Sequence, residues 1–289
     1  MDELHVRAPA KINLFLKVLR KRPDGYHDIH SWFQAVDLCD ELAFIPMGET
    51  GIGLEIEGKP DLPNDSENLV VRAAKLIFDR FKLAGGVRIR LKKAIPVSAG
   101  LGGGSSDVAA TIYALSRLYG LELSAKVMQQ LGLEIGSDVP FFFSTGQADI
   151  SGRGEIVNGI SLPVEYSIAL VVPHISVSTA ESYKQLSLSL TSPLSDVNLY
   201  NCSDFAELVA QIRDVGNDFE NGHFKTYPIL GEIRQVLQDA GAALTRMSGS
   251  GPAMFGLFEK MPEGEGASHI TRGDWKAFFV HPITLPAWG

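Results

Sequence analysis

At 289 residues the chain exceeds the usual span of one domain, so two domains or one large one are expected. A hydrophobic fraction of 45% and a charged fraction of 21% are those of an ordinary globular protein, and a net charge of −8 weighs against a general nucleic-acid binder, which needs a positive field. The longest apolar runs, such as 168–173 and 139–143, fall far short of the ~20 residues of a membrane helix.

The two cysteines, Cys39 and Cys202, have neither metal-ligand nor disulfide-framework spacing, and the opening MDELHVRAP lacks the charged and apolar regions of a signal peptide. The expectation is a cytoplasmic protein with no membrane and no nucleic-acid partner.

Residues 4–18 read as a strand that Pro9 interrupts. Ala10, Ile12, Leu14, Leu16 and Val18 fall on one face, and Lys11, Asn13, Phe15 and Lys17 on the other. Two readings of Lys11 and Asn13 stand: a solvated polar side, or a cation and an amide that serve a reacting phosphoryl group. Pro23-Asp24-Gly25 is strong turn chemistry, with Arg20, Lys21 and Arg22 on a solvated tip. Tyr26 and His27 after it either cap the core or present an aromatic face and an imidazole to a flat heterocycle. Residues 29–46 are strand material, 48–63 a loop-rich hairpin region, and a helix runs from Asp65 to about Phe81 with Asn68 in its first turn.

The strand 87–91 then leads into AIPVSAGLGGGSSD, residues 94–107, and a helical pattern over 108–119 for which Ser105, Ser106 and Asp107 are good N-cap residues. Glycines at 100, 102, 103 and 104 bring backbone N–H groups close to a ligand and tolerate positive φ, which makes an anion nest at a helix start. No Lys follows to make a Walker loop, and Ser105 replaces the third glycine of a dinucleotide fingerprint. A plain turn is the poorer reading, because each glycine costs roughly 1 kcal/mol of chain entropy relative to Ala in a regular element.

Ser124 caps a helix over 125–131. Asp138, ahead of Pro140, reads either as a helix N-cap or as a carboxylate that takes a substrate proton. A glycine-bearing turn spans 147–155 and a strand 166–172. Composition shifts to Ser, Thr and Leu over 176–201, helices follow at 204–215 and 228–240, and a second glycine turn at 247–252 precedes a strand at 253–258. Residues 276–281 form a last strand. The whole is α+β, with a boundary near Leu162.

Three segments together resemble the GHMP kinase superfamily: PAKINL at 9–14 its first motif, Pro96 to Ser106 its ATP-binding loop, and SGSGP at 248–252 its third. The resemblance covers most of the chain. Within the superfamily, PAKINLFL, DGYH, PVSAGLGGGSSD and GSDVPFF in that order are similar to the branch that acts on a cytidine diphosphate ester of methylerythritol.

The resemblance implies a two-domain α+β fold. Its N-terminal domain, 1–162, is ribosomal protein S5 domain 2-like and carries the ATP loop; its C-terminal domain, 163–289, is ferredoxin-like. It implies ATP-dependent phosphorylation of the 2-hydroxyl of that ester in the non-mevalonate isoprenoid pathway, the alternative being another small-alcohol kinase of mevalonate or homoserine type. Asp138 would be the base and Lys11 its cationic neighbour. Pro96, Val97, Ser98, Ala99, Gly100, Leu101, Gly102, Gly103, Gly104, Ser105 and Ser106 would bind ATP, with Asn68 at the adenine and Ser105 or Ser106 reaching Mg²⁺. Asn13, Tyr26, His27 and Tyr183 would hold the substrate, Tyr26 and Tyr183 on either side of the cytosine. A monomer or homodimer is expected. Asp107 adds negative charge near a triphosphate, so it points away, caps the helix or meets a cation.

Overall fold

A computed structural model describes residues 3–58, 61–186 and 201–285. The chain opens on two long strands, β1 (Leu4–Lys21) and β2 (His27–Met47), followed by β3 (Gly51–Glu57), α1 (Leu69–Phe81) and β4 (Gly86–Lys92). Then come α2 (Gly103–Leu118), α3 (Ala125–Leu133), a 3₁₀ turn (Val139–Phe143), β5 (Gln147–Ser151) and β6 (Ile156–Gly159). The remainder is β7 (Ser167–Pro173), α4 (Thr179–Gln185), α5 (Phe205–Ile212), α6 (Glu220–Thr226), α7 (Pro228–Asp239), β8 (Leu244–Met247), β9 (Met254–Phe258), α8 (Gly264–Thr271) and β10 (Trp275–Val280). Residues 187–200 of the Ser/Thr/Leu-rich stretch lie outside the described residues; α4 occupies its earlier part.

The first sheet runs β3-β4-β2-β5-β6 with β1 also on β2, and the second runs β10-β7-β9-β8. β3 lies parallel to β4 across α1. The expected hairpin over 48–63 thus gives way to a strand–helix–strand unit, because a parallel partner needs a connection long enough to recross the sheet.

One apolar body fills the space between the first sheet and α1, α2 and the 3₁₀ turn, around Phe44, Ile77, Ile89, Ile112 and Phe141. A second lies between the two sheets. Ile12, Leu14 and Trp32 of the first meet Ile168, Leu170 and Phe255 of the second there. β7 is buried along its whole length, so it reads as a continuous apolar run rather than an alternation.

The alternation expected along β1 breaks at Leu14, where the register against β2 slips between Asn13 and Phe15. A bulge adds one residue and exchanges the faces beyond it. Accordingly Ile12, Leu14 and Phe15 enter the core between the sheets, whereas Leu16 and Val18 enter the other. The buried Arg246 guanidinium donates to the carbonyls of Leu14 (2.9 Å), Ile212 (3.0 Å) and Arg213 (3.0 Å). It supplies the bulged residue's carbonyl with a partner.

α2 starts at Gly103, five residues before the expected run, because Gly102 turns the chain at φ 70°. Ser105 and Ser106 therefore stand in its first turn and Asp107 just beyond it, and none of the three is the N-cap. The helix start has no side-chain cap bond, which leaves its first amides available to an anion.

Asp107 meets a cation. Lys93 donates to Asp107 Oδ2 (2.8 Å) and Asp40 Oδ2 (2.5 Å), and Asp40 Oδ1 accepts from the backbone amides of Ala94 (2.6 Å) and Ile95 (2.9 Å). This buried triad ties β2, the start of the glycine loop and α2 together. Burial pushes the Asp107 carboxyl up to about 8 against the pull of Lys93. Burial opposes the charge on Lys93, but the two carboxylates outweigh it and raise its pKa.

Two outcomes are expected. Arg246→Met, which leaves three carbonyls without their donor, lowers the unfolding free energy by about 2–4 kcal/mol in urea titrations; a loss within about 0.5 kcal/mol would remove the guanidinium as the bulge's anchor. The native Asp107 keeps its proton to higher pH than the ordinary value of 3.8, so between about pH 4 and about pH 8 the folded state binds more protons and stability falls as pH rises. Asp107→Asn flattens this fall, read as urea midpoints at about pH 5 and about pH 8 beside wild type. Equal slopes in the two proteins would contradict it.

Candidate active site

Two distant segments, β1 and the second glycine turn, meet at the glycine loop. β1 donates its Lys11 amide to Leu101 O (2.9 Å), and the second glycine turn donates the Ala253 amide to Ala99 O (3.1 Å). Ser248 Oγ donates to Gly100 O (2.9 Å) and accepts from the Asn13 amide (3.2 Å). The contact is too close for any side chain at Gly100, where φ is 79° and a Cβ would stand 2.2 Å from Ser248 O.

A cavity of about 520 Å³ opens over this loop, lined by Pro96 through Ser105 and by Asn68. Asn68 Oδ1 accepts from the Val70 amide (2.9 Å) and its Nδ2 donates to Pro63 O (2.7 Å). It is the N-cap of α1 as well as a wall of the cavity. Of the two serines expected to face phosphate or metal, only Ser105 lines the cavity; Ser106 is fully buried and its hydroxyl has no partner among the described residues.

A second cavity of about 400 Å³ shares Ser98, Gly100, Gly102 and Thr179 with the first and contains Lys11, Asn13 and Asp138. Lys11 is 3% exposed, so the reading of a solvated polar side fails. Its Nζ lies 2.6 Å from Asn13 Oδ1, 3.4 Å from Asp138 Oδ2 and 4.3 Å from the Phe33 ring centroid, which occupies the three directions of an ammonium group. Burial lowers its pKa while the charge of Asp138 pulls it back up.

Asn13 also donates to Ser31 Oγ (2.9 Å), so its amide orients Lys11. Asp138 precedes the 3₁₀ turn in the N-cap position but makes no cap bond, Pro140 having removed one of the amides a cap would bind. Its carboxylate, one-third exposed, faces the cavity and Lys11.

The third cavity, about 790 Å³, shares Asp138, Arg153, Thr179 and Tyr183 with the second and adds Tyr26 and His27. The three form one groove. Its far end differs from the implied arrangement of Tyr26 and Tyr183 opposed across a base. Tyr183 lies on His27 instead, with centroids 4.8 Å apart and planes 18° from parallel, and its edge meets Phe219. The half-exposed Tyr26 has the Arg153 guanidinium 4.7 Å from its ring centre. Burial, and then the charge of Lys21, lower the His27 pKa, which favours the neutral imidazole with one donor and one acceptor nitrogen.

Sequence reasoning missed Arg153 and Thr179. Thr179 lines all three cavities and shares a hydrogen bond of 2.8 Å with Ser250 of the second glycine turn. It stands in a stretch with no motif. For Arg153 the signal was its place between Gly152 and Gly154, which forces the side chain outward from a tight turn.

Residues 68–146 match the family model of the GHMP kinases N terminal domain, and residues 199–272 that of the GHMP kinases C terminal region. The 4-diphosphocytidyl-2-C-methyl-D-erythritol kinase of Geobacter metallireducens is 40% identical over 286 residues, covering 98% of this chain and all of that one. The enzyme of that name from Geobacillus thermodenitrificans is 43% identical over 257 residues, 89% of this chain and 88% of the other. A crystal structure of a 4-(cytidine 5'-diphospho)-2C-methyl-D-erythritol kinase superposes with a TM-score of 0.78 at 34% identity, over 97% of this chain and 99% of that one. Homoserine kinase from Cytophaga hutchinsonii shares the fold, with a TM-score of 0.76 at 20% identity. The glycine loop, the Lys11–Asp138 pair and the aromatic end of the groove thus belong to a GHMP kinase, and the chain is a member of the 4-diphosphocytidyl-2-C-methyl-D-erythritol kinase family.

Proposed function

We propose that this chain transfers the γ-phosphoryl group of ATP to the 2-hydroxyl of 4-diphosphocytidyl-2-C-methyl-D-erythritol, giving the 2-phosphate and ADP in isoprenoid precursor synthesis. The observation that carries the reading is the continuous groove. It has a phosphate nest at one end, an ion-paired carboxylate in the middle and stacked rings at the other.

The nest is the loop from Pro96 to Ser105 together with the uncapped start of α2, whose amides and dipole hold the triphosphate. Asp138 takes the proton of the hydroxyl as its oxygen attacks the γ-phosphorus and ADP leaves. Lys11, held by Asn13, neutralises charge on the transferring group. Mg²⁺ enters on the triphosphate as part of the substrate. Such an ion, which keeps most of its water shell, would need few protein ligands, and Ser105 would supply one where the buried Ser106 would not.

Tyr26, His27 and Tyr183 receive the cytosine, whose edge offers the acceptors and donor that a neutral His27 complements. Two functional domains, 1–162 and 163–289, are supported by the separate sheets, β1–β6 and β7–β10. We place the enzyme in the cytoplasm, where its phosphorylated, water-soluble substrates are; among the described residues no helix is long and apolar enough to cross a membrane.

ADP release with each alcohol in turn tests the reading. Turnover of the cytidine ester and none of mevalonate or homoserine is expected, and the reverse pattern would sink it. Asp138→Asn lowers kcat about 10²- to 10⁴-fold with ATP binding near wild type; retained turnover removes Asp138 as the base. Gly100→Ala, which forces the loop off Ser248, raises the KM for ATP and lowers stability by more than about 1 kcal/mol, measured by steady-state kinetics and urea melts.

A further inference from the structure

Arg153 is a cation of the groove that the chemistry above does not use. Arg153 sits in the turn between β5 and β6, flanked by Gly152 at φ 66° and Gly154 at φ 119°. A Cβ at Gly154 would lie 3.3 Å from Ser137 Cβ and 3.6 Å from Asp138 Oδ1, so the turn is seated directly on the segment that presents the carboxylate. The Arg153 amide donates to Glu155 Oε2 (2.6 Å), which closes the turn. The side chain, half-buried, lines both the cavity of Lys11 and Asp138 and the wide cavity of Tyr26 and His27.

Its guanidinium rests on the Tyr26 ring, 4.7 Å from the centroid, and among the described residues no carboxylate stands within 4.0 Å of it. Asp24, whose charge it feels, is held by Arg22 at 2.9 Å. Buried or half-buried arginines normally find an anion, and a fork of five donors fixed against an aromatic face has lost much of its rotamer freedom in advance. The wide cavity adds Lys21 and Lys184 to Arg153 against the single carboxylate of Asp138, a positive cradle in a chain of net charge −8. What lies between an alcohol at Asp138 and a base at Tyr26–His27 is the diphosphate that joins them.

We propose that Arg153 is the diphosphate ligand that selects alcohols carried on a nucleoside diphosphate. Its guanidinium, placed between Asp138 and Tyr26, forks onto the phosphate oxygens linking base and alcohol. The inference rests on the cytidine-ester reading above and names the residue that separates such a substrate from a small free alcohol.

Calorimetric titration of the full chain with CDP and with cytidine tests it. Wild type binds CDP more tightly than cytidine. Arg153→Ala weakens CDP about 10- to 100-fold and leaves cytidine unchanged, and Arg153→Lys recovers part of the loss. In steady state the KM for the cytidine diphosphate ester rises in Arg153→Ala while kcat changes less than about threefold. Arg153→Gln, which keeps most of the side chain's bulk, must show the same loss if Arg153→Ala melts early. CDP bound by the variants as tightly as by wild type overturns the proposal, as does a fall in kcat at unchanged KM, which would make Arg153 a support of Asp138 instead. Wild type that binds neither CDP nor cytidine and leaves the ester unphosphorylated overturns the cytidine reading itself, and the role of Arg153 with it.

Discussion

The hydroxyl of Ser248 is the joint on which the site depends. It donates to the carbonyl of Gly100 and accepts from the amide of Asn13, so one oxygen fixes the glycine loop, β1 and the turn of the second sheet relative to one another. The fit leaves no volume for a side chain at Gly100. Together with the Lys11 amide on Leu101 O and the Ala253 amide on Ala99 O, it holds the phosphate nest, the lysine and the third motif as one surface. Because the joint is made of backbone groups and one short side chain, its geometry has almost no rotameric slack.

Two buried charge systems flank that joint and differ in what they face. Asp40, Lys93 and Asp107 are nearly inaccessible, the lysine bridging both carboxylates, although Lys93 and Asp107 border the cavity over the loop. Removing the lysine from such a set leaves buried carboxylate without its counter-charge, costing about 3–5 kcal/mol. Lys11 and Asp138 are asymmetric: the lysine is buried and the carboxylate opens on the groove. The first arrangement holds a loop in place; the second keeps a base within reach of a substrate while its partner stays out of water.

Much of the site is legible in the sequence because it is written in local chemistry. The glycine loop, the PAKINL strand, DGYH and GSDVPFF each sit in one short segment, and the groove brings Lys11, Asp138, Tyr26 and His27 to it. What escapes reading depends on long-range geometry. The bulge at Leu14 reverses the faces of β1 through its pairing with β2, and no residue type announces it. The start of α2 at Gly103 follows from the left-handed Gly102, where capping preferences favoured the serines. The stack of Tyr183 on His27 joins residues 156 positions apart, set by where α4 docks. Arg153 has no motif of its own and gains meaning only from the two cavities that it divides.

The core between the sheets ties the two halves into one cooperative unit. Ile12, Leu14 and Trp32 of the first sheet share one core with Ile168, Leu170 and Phe255 of the second and with Leu208 and Ile212 of α5. Either half made alone would expose that face, a contiguous apolar patch of the kind that aggregates. Amide protons of β1 and β7, both lining this core, are expected to exchange through one shared global opening, and those of the Arg153 turn, outside it, through local opening of lower free energy. Substrate capture can draw on that local freedom without loosening the scaffold that aligns the phosphoryl donor with its acceptor.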